Sequence, residues 1–242
     1  MLTTTLWGVS AVAAGAISYG CFWPRSRLYG PVVYRGRADA GPAVALTFDD
    51  GPHPQATPAI LDILARHNVP AAFFVVGRHA ARHPELVRRM QAEGHLVGNH
   101  SFDHDYLGMF RMHQYWRRQL AQTEAVVAQI IGRRPRLFRP PMGFKHPGMT
   151  LSVYQRGDAV VTWTRRGMDG VRTTQQRILE RLLPQAAARD ILVLHDGCAG
   201  RLSGDRRATV DAVDPLIAGL RGRGLALRRL DELIGQPGYH DA

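Results

Sequence analysis

The sequence predicts an α/β fold, a (β/α) barrel of about seven parallel strands, preceded by one N-terminal membrane helix. Three observations predict it. From Ala43 onward, short apolar runs alternate with stretches of helical spacing, the pattern of βα units and a parallel sheet. The chemically distinctive residues fall where the strand runs end: Asp49 and Asp50, then His100, Arg139, Asp169 and His195. Convergence from several strand ends is the habit of barrels, whereas an open doubly wound sheet concentrates its site at one crevice. Finally, Leu2 to Trp23 carries no charged side chain.

Residues 1–23 read as a membrane anchor. The uncharged stretch is long enough for one bilayer crossing, which needs about 20 residues, and Trp7 and Trp23 suit the two interfaces. A cleaved signal peptide is disfavoured because no basic region precedes the apolar stretch. A buried N-terminal helix is disfavoured because the segment has no polar face. Residues 24–42 read as a linker rich in Pro, Gly and Arg, with one short strand possible at Val32-Val33-Tyr34. Residues 43–242 form the catalytic domain.

Within that domain the elements follow in order. Ala43–Phe48 is an apolar strand ending in the acidic pair. Thr57–His67 has helical spacing, with Ile60, Ile63 and Leu64 on one face. Ala71–Val76 is a buried strand, His79–Glu93 a helix stopped by Gly94, and His95–Asn99 a strand. Met112–Ile131 is the longest helix, stopped by Gly132. Leu137–Pro140 is a short strand, Pro147–Gly157 a helix and Ala159–Thr164 a strand. Thr174–Ala188 is a helix capped by Thr173 or Thr174. Ile191–His195 is a strand, Arg206–Arg223 a helix, Leu225–Arg228 a strand and Leu230–Ile234 a last short helix.

The chain of 242 residues has a formal net charge of +11, nearly all of it from arginine, with Lys145 the only lysine. That excess favours an anionic partner such as phospholipid headgroups, lipid-linked phosphates or an acidic glycan. No nucleic-acid partner is expected, because no basic run or binding module accompanies the charge. Cys21 and Cys198 are too few for a Cys-type zinc site and too differently placed for a disulfide.

The chemistry lies in Thr47-Phe48-Asp49-Asp50-Gly51-Pro52 and His100-Ser101-Phe102-Asp103-His104. Asp50, His100 and His104 offer a divalent metal one carboxylate and two imidazoles, leaving an open position as in catalytic zinc sites. A helical turn after the strand would put both imidazoles on one side. Alone, the Asp-Asp-Gly-Pro string reads equally well as a turn, and the lone histidine pair is a weak signal; together they are much stronger. Asp49 is left over as a general base for the attacking water. His195 could donate a proton to a leaving amine, although alone it reads as an interior histidine. Asp169 is placed to orient it, and Arg139 to hold Asp49. The Met142 N–H, in the turn after Pro140-Pro141, could face a developing oxyanion. Trp163 and Val193 are expected to line the site.

These motifs resemble those of the polysaccharide deacetylases, the family 4 carbohydrate esterases with the chitooligosaccharide-deacetylase homology domain. The matching segments are TFDDGP (47–52), HSFDH (100–104), RPPMG (139–143) and ILVLHDG (191–197), and the likeness covers roughly Ala43 to Leu230. The resemblance implies a distorted (β/α) barrel with a glycan groove and zinc or a similar divalent ion. It implies hydrolysis of an acyl group, usually N-acetyl, from an amino sugar. By the same likeness Asp49 is the base, Asp50, His100 and His104 the metal ligands, Arg139 the partner of Asp49, and His195 the acid. The fourth motif departs: Trp163 to Gly170 supplies Asp169 but follows it with Gly170 where many members have Trp.

The expected partner is therefore an N-acylated glycan or lipid-linked sugar, reached from the membrane. The two signals for orientation conflict. Arg25, Arg27, Arg35 and Arg37 after the anchor favour a cytoplasmic domain, while the family resemblance favours the extracytoplasmic side. A deacylase or deformylase of a lipid-linked sugar at the cytoplasmic leaflet is the alternative. A catalytically idle glycan-binding domain is disfavoured by the intact acidic pair, histidine pair, Arg139 and His195.

Overall fold

The computed structural model of the chain describes residues 14–199 and 204–241. Its strands are β1 (Ala43–Asp49), β2 (Ala72–Val75), β3 (Leu96–Asn99), β4 (Leu137–Phe138), β5 (Ala159–Val160), β6 (Arg165–Arg166), β7 (Ile191–His195) and β8 (Ala226–Leu227). Seven lie in the order β5-β4-β3-β2-β1-β7-β6, with every pairing parallel, and β8 adds to the start of β1. The sheet curls, and its two edges are successive stretches of one extended run. Val161 N–H donates to the Phe138 carbonyl, while Thr164 N–H donates to that of Ile191. This run ties both edges together, consistent with the expected distorted (β/α) barrel.

Burial explains the central strands. All seven residues of β1 and all four of β2 and of β3 are buried. Parallel strands covered on both faces read as continuous apolar runs, which is what Val44–Leu46 and Phe73–Val76 are. The outer helices cover them with Ile60, Leu61 and Leu64 from Ala56–His67, and with Val213, Leu216 and Ile217 from Arg207–Gly222. Left-handed residues stop three helices, Asn68 at φ 49°, Gly132 at φ 67° and Gly235 at φ 65°.

Two helices differ from expectation for local reasons. The helix expected over His79–Glu93 is two, Gly77–Arg82 and Pro84–Ala92. Pro84 lacks an N–H and pushes His83 out of the helical region, to φ −131° and ψ 57°, so a new helix starts there. The helix expected over Thr174–Ala188 is Gln175–Leu182, capped by the Thr174 hydroxyl accepting the Arg177 N–H at 3.3 Å. Pro184 prevents its continuation.

Of the anchor expected over residues 1–23, residues 1–13 lie outside the described residues. Residues 14–22 are helical, and among the described residues no helix is long and apolar enough to cross a membrane. The expected crossing helix therefore has no support there. Residues 24–42 run along the barrel, with Val33 bridging Val161 and Arg35 bridging Asp190. Cys21 and Cys198 are both free and buried.

Candidate active site

Strand ends assemble the site. Parallel register sets Asp49 of β1 beside His195 of β7 and Phe74 of β2. β3 delivers Asn99, and His100 follows it, while β4 runs directly into Arg139. Asp49, His100 and His195 from these strand ends border a cavity of about 300 Å³. All the residues predicted for the site line it except Arg139 and Asp169, which sit one layer behind.

Asp50, His100 and His104 converge. Asp50 Oδ1 lies 3.3 Å from Nε2 of each histidine, and all three side chains are buried. The Nδ1–H of His100 donates to the Arg139 carbonyl at 2.8 Å, which leaves its Nε2 lone pair directed at Asp50. Asp50 Oδ1 makes no hydrogen bond despite its burial, a costly state for a carboxylate unless a cation completes it. Burial pushes His104 down to about 4, so it is neutral and able to ligate at working pH. Burial opposes the charge on Asp50, but the imidazoles that face it, His100, His104 and His195, outweigh burial and hold its carboxyl well below the usual carboxylate range. This donor set fits a divalent ion with an open side towards the cavity.

The histidines do not meet on a helical turn as expected. Residues 100–105 form an irregular loop in which Ser101 and His104 hold left-handed φ values of 68° and 49°. Asn99 Oδ1 accepts the Ser101 N–H and Ser101 Oγ accepts the His104 N–H, at 3.0 and 3.2 Å, which fixes the loop. Asp50 is left-handed too, at φ 74°. Non-glycine residues kept in this sparsely populated region cluster at functional sites, where surrounding structure over-determines them.

Arg139 is fully buried and holds Asp49. Its Nη1 donates to Asp49 Oδ1 and to Thr47 Oγ1, both at 2.7 Å, and its Nη2 donates to the Thr162 carbonyl at 3.1 Å. Its guanidinium lies 4.1 Å from the Phe74 ring centroid. Removing one partner of a buried ion pair costs about 3–5 kcal/mol because the other charge is left uncompensated. Arg139→Ala should therefore lower unfolding free energy by that amount, measured by urea denaturation. A loss below about 1 kcal/mol would show that the pair is solvated.

The Asp169–His195 pair is built in the same way. Asp169 Oδ1 accepts His195 Nδ1–H at 2.9 Å, and Oδ2 accepts the His195 backbone N–H and the Thr209 hydroxyl, each at 2.8 Å. Burial pulls the imidazole down, but the bond and charge of Asp169, with Asp50 and Asp49 behind, outweigh it and raise His195 to about 9. Burial likewise opposes the charge on Asp169, yet the bonds from His195 bring it below the ordinary value. The ring therefore holds a proton at neutral pH and points Nε2 into the cavity.

Met142 lines the cavity at φ 57°, inside the turn that follows Pro140. Trp163 and Val193 form apolar wall, and Trp163 packs so closely on Gly143 that a Cβ there would strike its ring.

Sequence reasoning missed several residues. Asp196 is fully buried, receives the Thr57 hydroxyl at 2.5 Å, and is pushed up to about 7 by burial and the nearby carboxylates. It packs against Gly51, where any Cβ would collide with its carboxylate, and a Cβ at Gly197 would collide with the Asp50 backbone. His79 braces the Asp50 carbonyl through Nδ1 at 2.9 Å. Tyr106, Arg166, Met168 and Val171 also line the cavity. The His-Asp-Gly string signalled Asp196; nothing in the spacing signalled His79. A second acid–histidine group, Glu124, Asp158 and His240, is matched by Arg134 and Arg156 and forms an ion-pair network instead.

The family model for polysaccharide deacetylase matches residues 36–157. A chitooligosaccharide deacetylase of Sinorhizobium fredii is 36% identical over 196 residues, covering 79% of this chain and 91% of the relative. A peptidoglycan-N-acetylglucosamine deacetylase of Bacillus cereus is 34% identical over 181 residues, covering 75% of this chain and 64% of the relative. The crystal structure of a peptidoglycan N-acetylglucosamine deacetylase bound to 4-naphthalen-1-yl-N-oxidanyl-benzamide superposes with a TM-score of 0.79 at 29% identity. It covers 86% of this chain and 95% of that one. By sequence and fold alike, the chain belongs to the polysaccharide deacetylase family.

Proposed function

We propose that the chain is a divalent-metal hydrolase that removes the N-acetyl group from an amino-sugar glycan. The observation that carries this reading is one pocket holding three convergent metal donors, a carboxylate fixed by a buried arginine, and a protonated histidine fixed by a buried aspartate. The named relatives are deacetylases of chitooligosaccharide and of peptidoglycan N-acetylglucosamine, which supports the same chemistry. Zinc is the ion proposed, because one carboxylate, two imidazoles and an open position suit it.

Asp50, His100 and His104 would hold the ion, which would supply Lewis-acid chemistry to the acyl carbonyl and a lowered pKa to the attacking water. Asp49 is fixed by Arg139 beside this position and takes the water's proton as its oxygen adds to the carbonyl carbon. The Met142 N–H faces the oxygen where negative charge develops. His195 gives its Nε2 proton to the amide nitrogen as the C–N bond breaks, leaving acetate and a free amine. Trp163 and Val193 wall the acyl methyl.

Asp169→Asn keeps an oxygen that can accept the Nδ1–H but removes the negative charge that raises His195, so the imidazole should lose its proton at lower pH. The alkaline limb of kcat should move down from its wild-type position, and kcat should fall by up to about 10²–10⁴-fold, the worth of a general acid. A pH–rate profile of the variant checks this, and an unmoved alkaline limb would separate Asp169 from the acid.

The reaction itself is tested with N-acetylated chitooligosaccharides, peptidoglycan fragments and a lipid-linked amino sugar, scoring acetate and formate in parallel. Acetate released in equal amount to free amine is the expected result. Formate alone would replace the acetyl reading with a deformylase.

A further inference from the structure

The end of the uncharged stretch is stitched to the two segments that carry Met142 and Trp163 to the pocket. On the first, the Lys145 N–H donates to the Cys21 carbonyl at 3.0 Å and Lys145 Nζ to the Trp23 carbonyl at 2.8 Å. Phe22 packs edge-on against Phe144, ring centroids 5.1 Å apart. These partners follow Met142 in the same turn. On the second, the Thr162 hydroxyl donates to the Pro24 carbonyl at 2.9 Å, and Arg25 donates to the Thr164 carbonyl at 3.3 Å, bracketing Trp163. Ile17, Tyr19, Phe22 and Trp23 are each more than half exposed. An uncharged helical stretch therefore meets the domain at the rim of the pocket.

The turn after His104 carries a second apolar set on that rim. Tyr106 lines the pocket, with its ring edge-on to His104 at 5.6 Å. Leu107, Phe110 and Met112 are not part of the lining and stand 63%, 75% and 76% exposed. A glycan inside the pocket would not cover them. Asp105, the acid of this turn, is engaged by the Leu107 N–H at 2.9 Å. Arg111, between Phe110 and Met112, is exposed, as are Arg25 and Arg27 just after Trp23 and Arg166 in the pocket lining.

Scattered apolar side chains need no partner, but apolar sets flanking one mouth do. Tyr and Trp beside aliphatic groups suit a membrane interface, and arginines around them suit anionic headgroups. The uncharged sequence that continues back to Leu2 has the same chemistry. We infer that this rim is a membrane-docking face, which lays the pocket mouth against the headgroup layer of an anionic bilayer. The stretch ending at Trp23 and the 106–112 turn each supply part of that face. Docking stands apart from the reaction proposed above. Its consequence, that the amino sugar is one carried at the membrane surface, rests on that reaction.

The test uses the full chain in vesicles of phosphatidylglycerol and phosphatidylethanolamine. Phe110→Cys carries an environment-sensitive fluorophore, and Ala92→Cys carries the same label at the opposite end of the barrel, just before β3. Both native cysteines are buried, and the labelled parent chain provides the background. Lipids with a nitroxide near the headgroup should quench the Phe110 label several-fold more than the Ala92 label. Adding Leu107→Glu and Met112→Glu should relieve that difference. Equal quenching at the two sites would overturn the inference, because the domain would then tumble free of the surface. A blue shift already complete in detergent and unchanged by vesicles would also overturn it, in favour of a second copy covering the face.

Discussion

Asp49→Asn should leave the protein folded and metal-loaded while lowering kcat by about 10²–10⁴-fold, the usual contribution of a positioned general base. Asn keeps an oxygen for Arg139 Nη1, and Arg139 keeps the Thr47 hydroxyl and the Thr162 carbonyl. The geometry behind the pocket therefore survives. What disappears is the acceptor for the water's proton. Asp49 is not one of the three converging donors, so metal content should not change. Acetate release and metal analysis on one preparation check both halves. Undiminished turnover would remove Asp49 as the base, and lost metal would make it a ligand.

His104→Ala should abolish both metal retention and turnover. Changing a residue that merely supports a ligand costs about 10–100-fold in affinity or activity, and deleting a ligand should cost more. The variant also leaves Asp50 Oδ1 with one imidazole instead of two at 3.3 Å. A readout other than activity is available: an ion that binds only the folded chain raises its melting temperature in proportion to RT ln(1 + [L]/Kd). Zinc should raise the melting temperature of the parent chain and not that of the variant. An equal rise in both would remove His104 from the ligand set. Because burial keeps His104 neutral down to about 4, metal binding should not be lost through this residue until pH falls to that range.

The parts of the fold legible in the sequence were those with a strong local signal. β1 and β7 are runs apolar but for Thr47 before they end in Asp49 and His195, and their ends could be read to within a residue. The second half of the barrel was harder, because β4, β5, β6 and β8 are each two residues long and owe their pairing to neighbours. Arg165 and Arg166 carry no strand signal of their own; β7 and the closing run recruit them. The break at His83-Pro84 was visible as a proline but was overridden by apolar spacing on both sides.

The site was legible because its motifs lie at strand ends, where the backbone path is fixed. The loop carrying His100 and His104 was not, since nothing in Ser-Phe-Asp announces left-handed residues held by Asn99 and Ser101. Asp196 stands in the His-Asp-Gly string, which marks the position, but its role comes from burial beside Asp50, which the string alone does not reveal. The uncharged N-terminal stretch was read for its length; that its end is bonded to the segments carrying Met142 and Trp163 is a tertiary fact.

The most direct measurement is a zinc titration of the chelator-stripped full chain, following acetate release from an N-acetylated chitooligosaccharide or peptidoglycan fragment. Activity should be absent at the start, rise with added zinc and level off at one ion per chain. Acetate release that persists in the stripped protein, with no response to zinc, would contradict a catalytic metal at Asp50, His100 and His104.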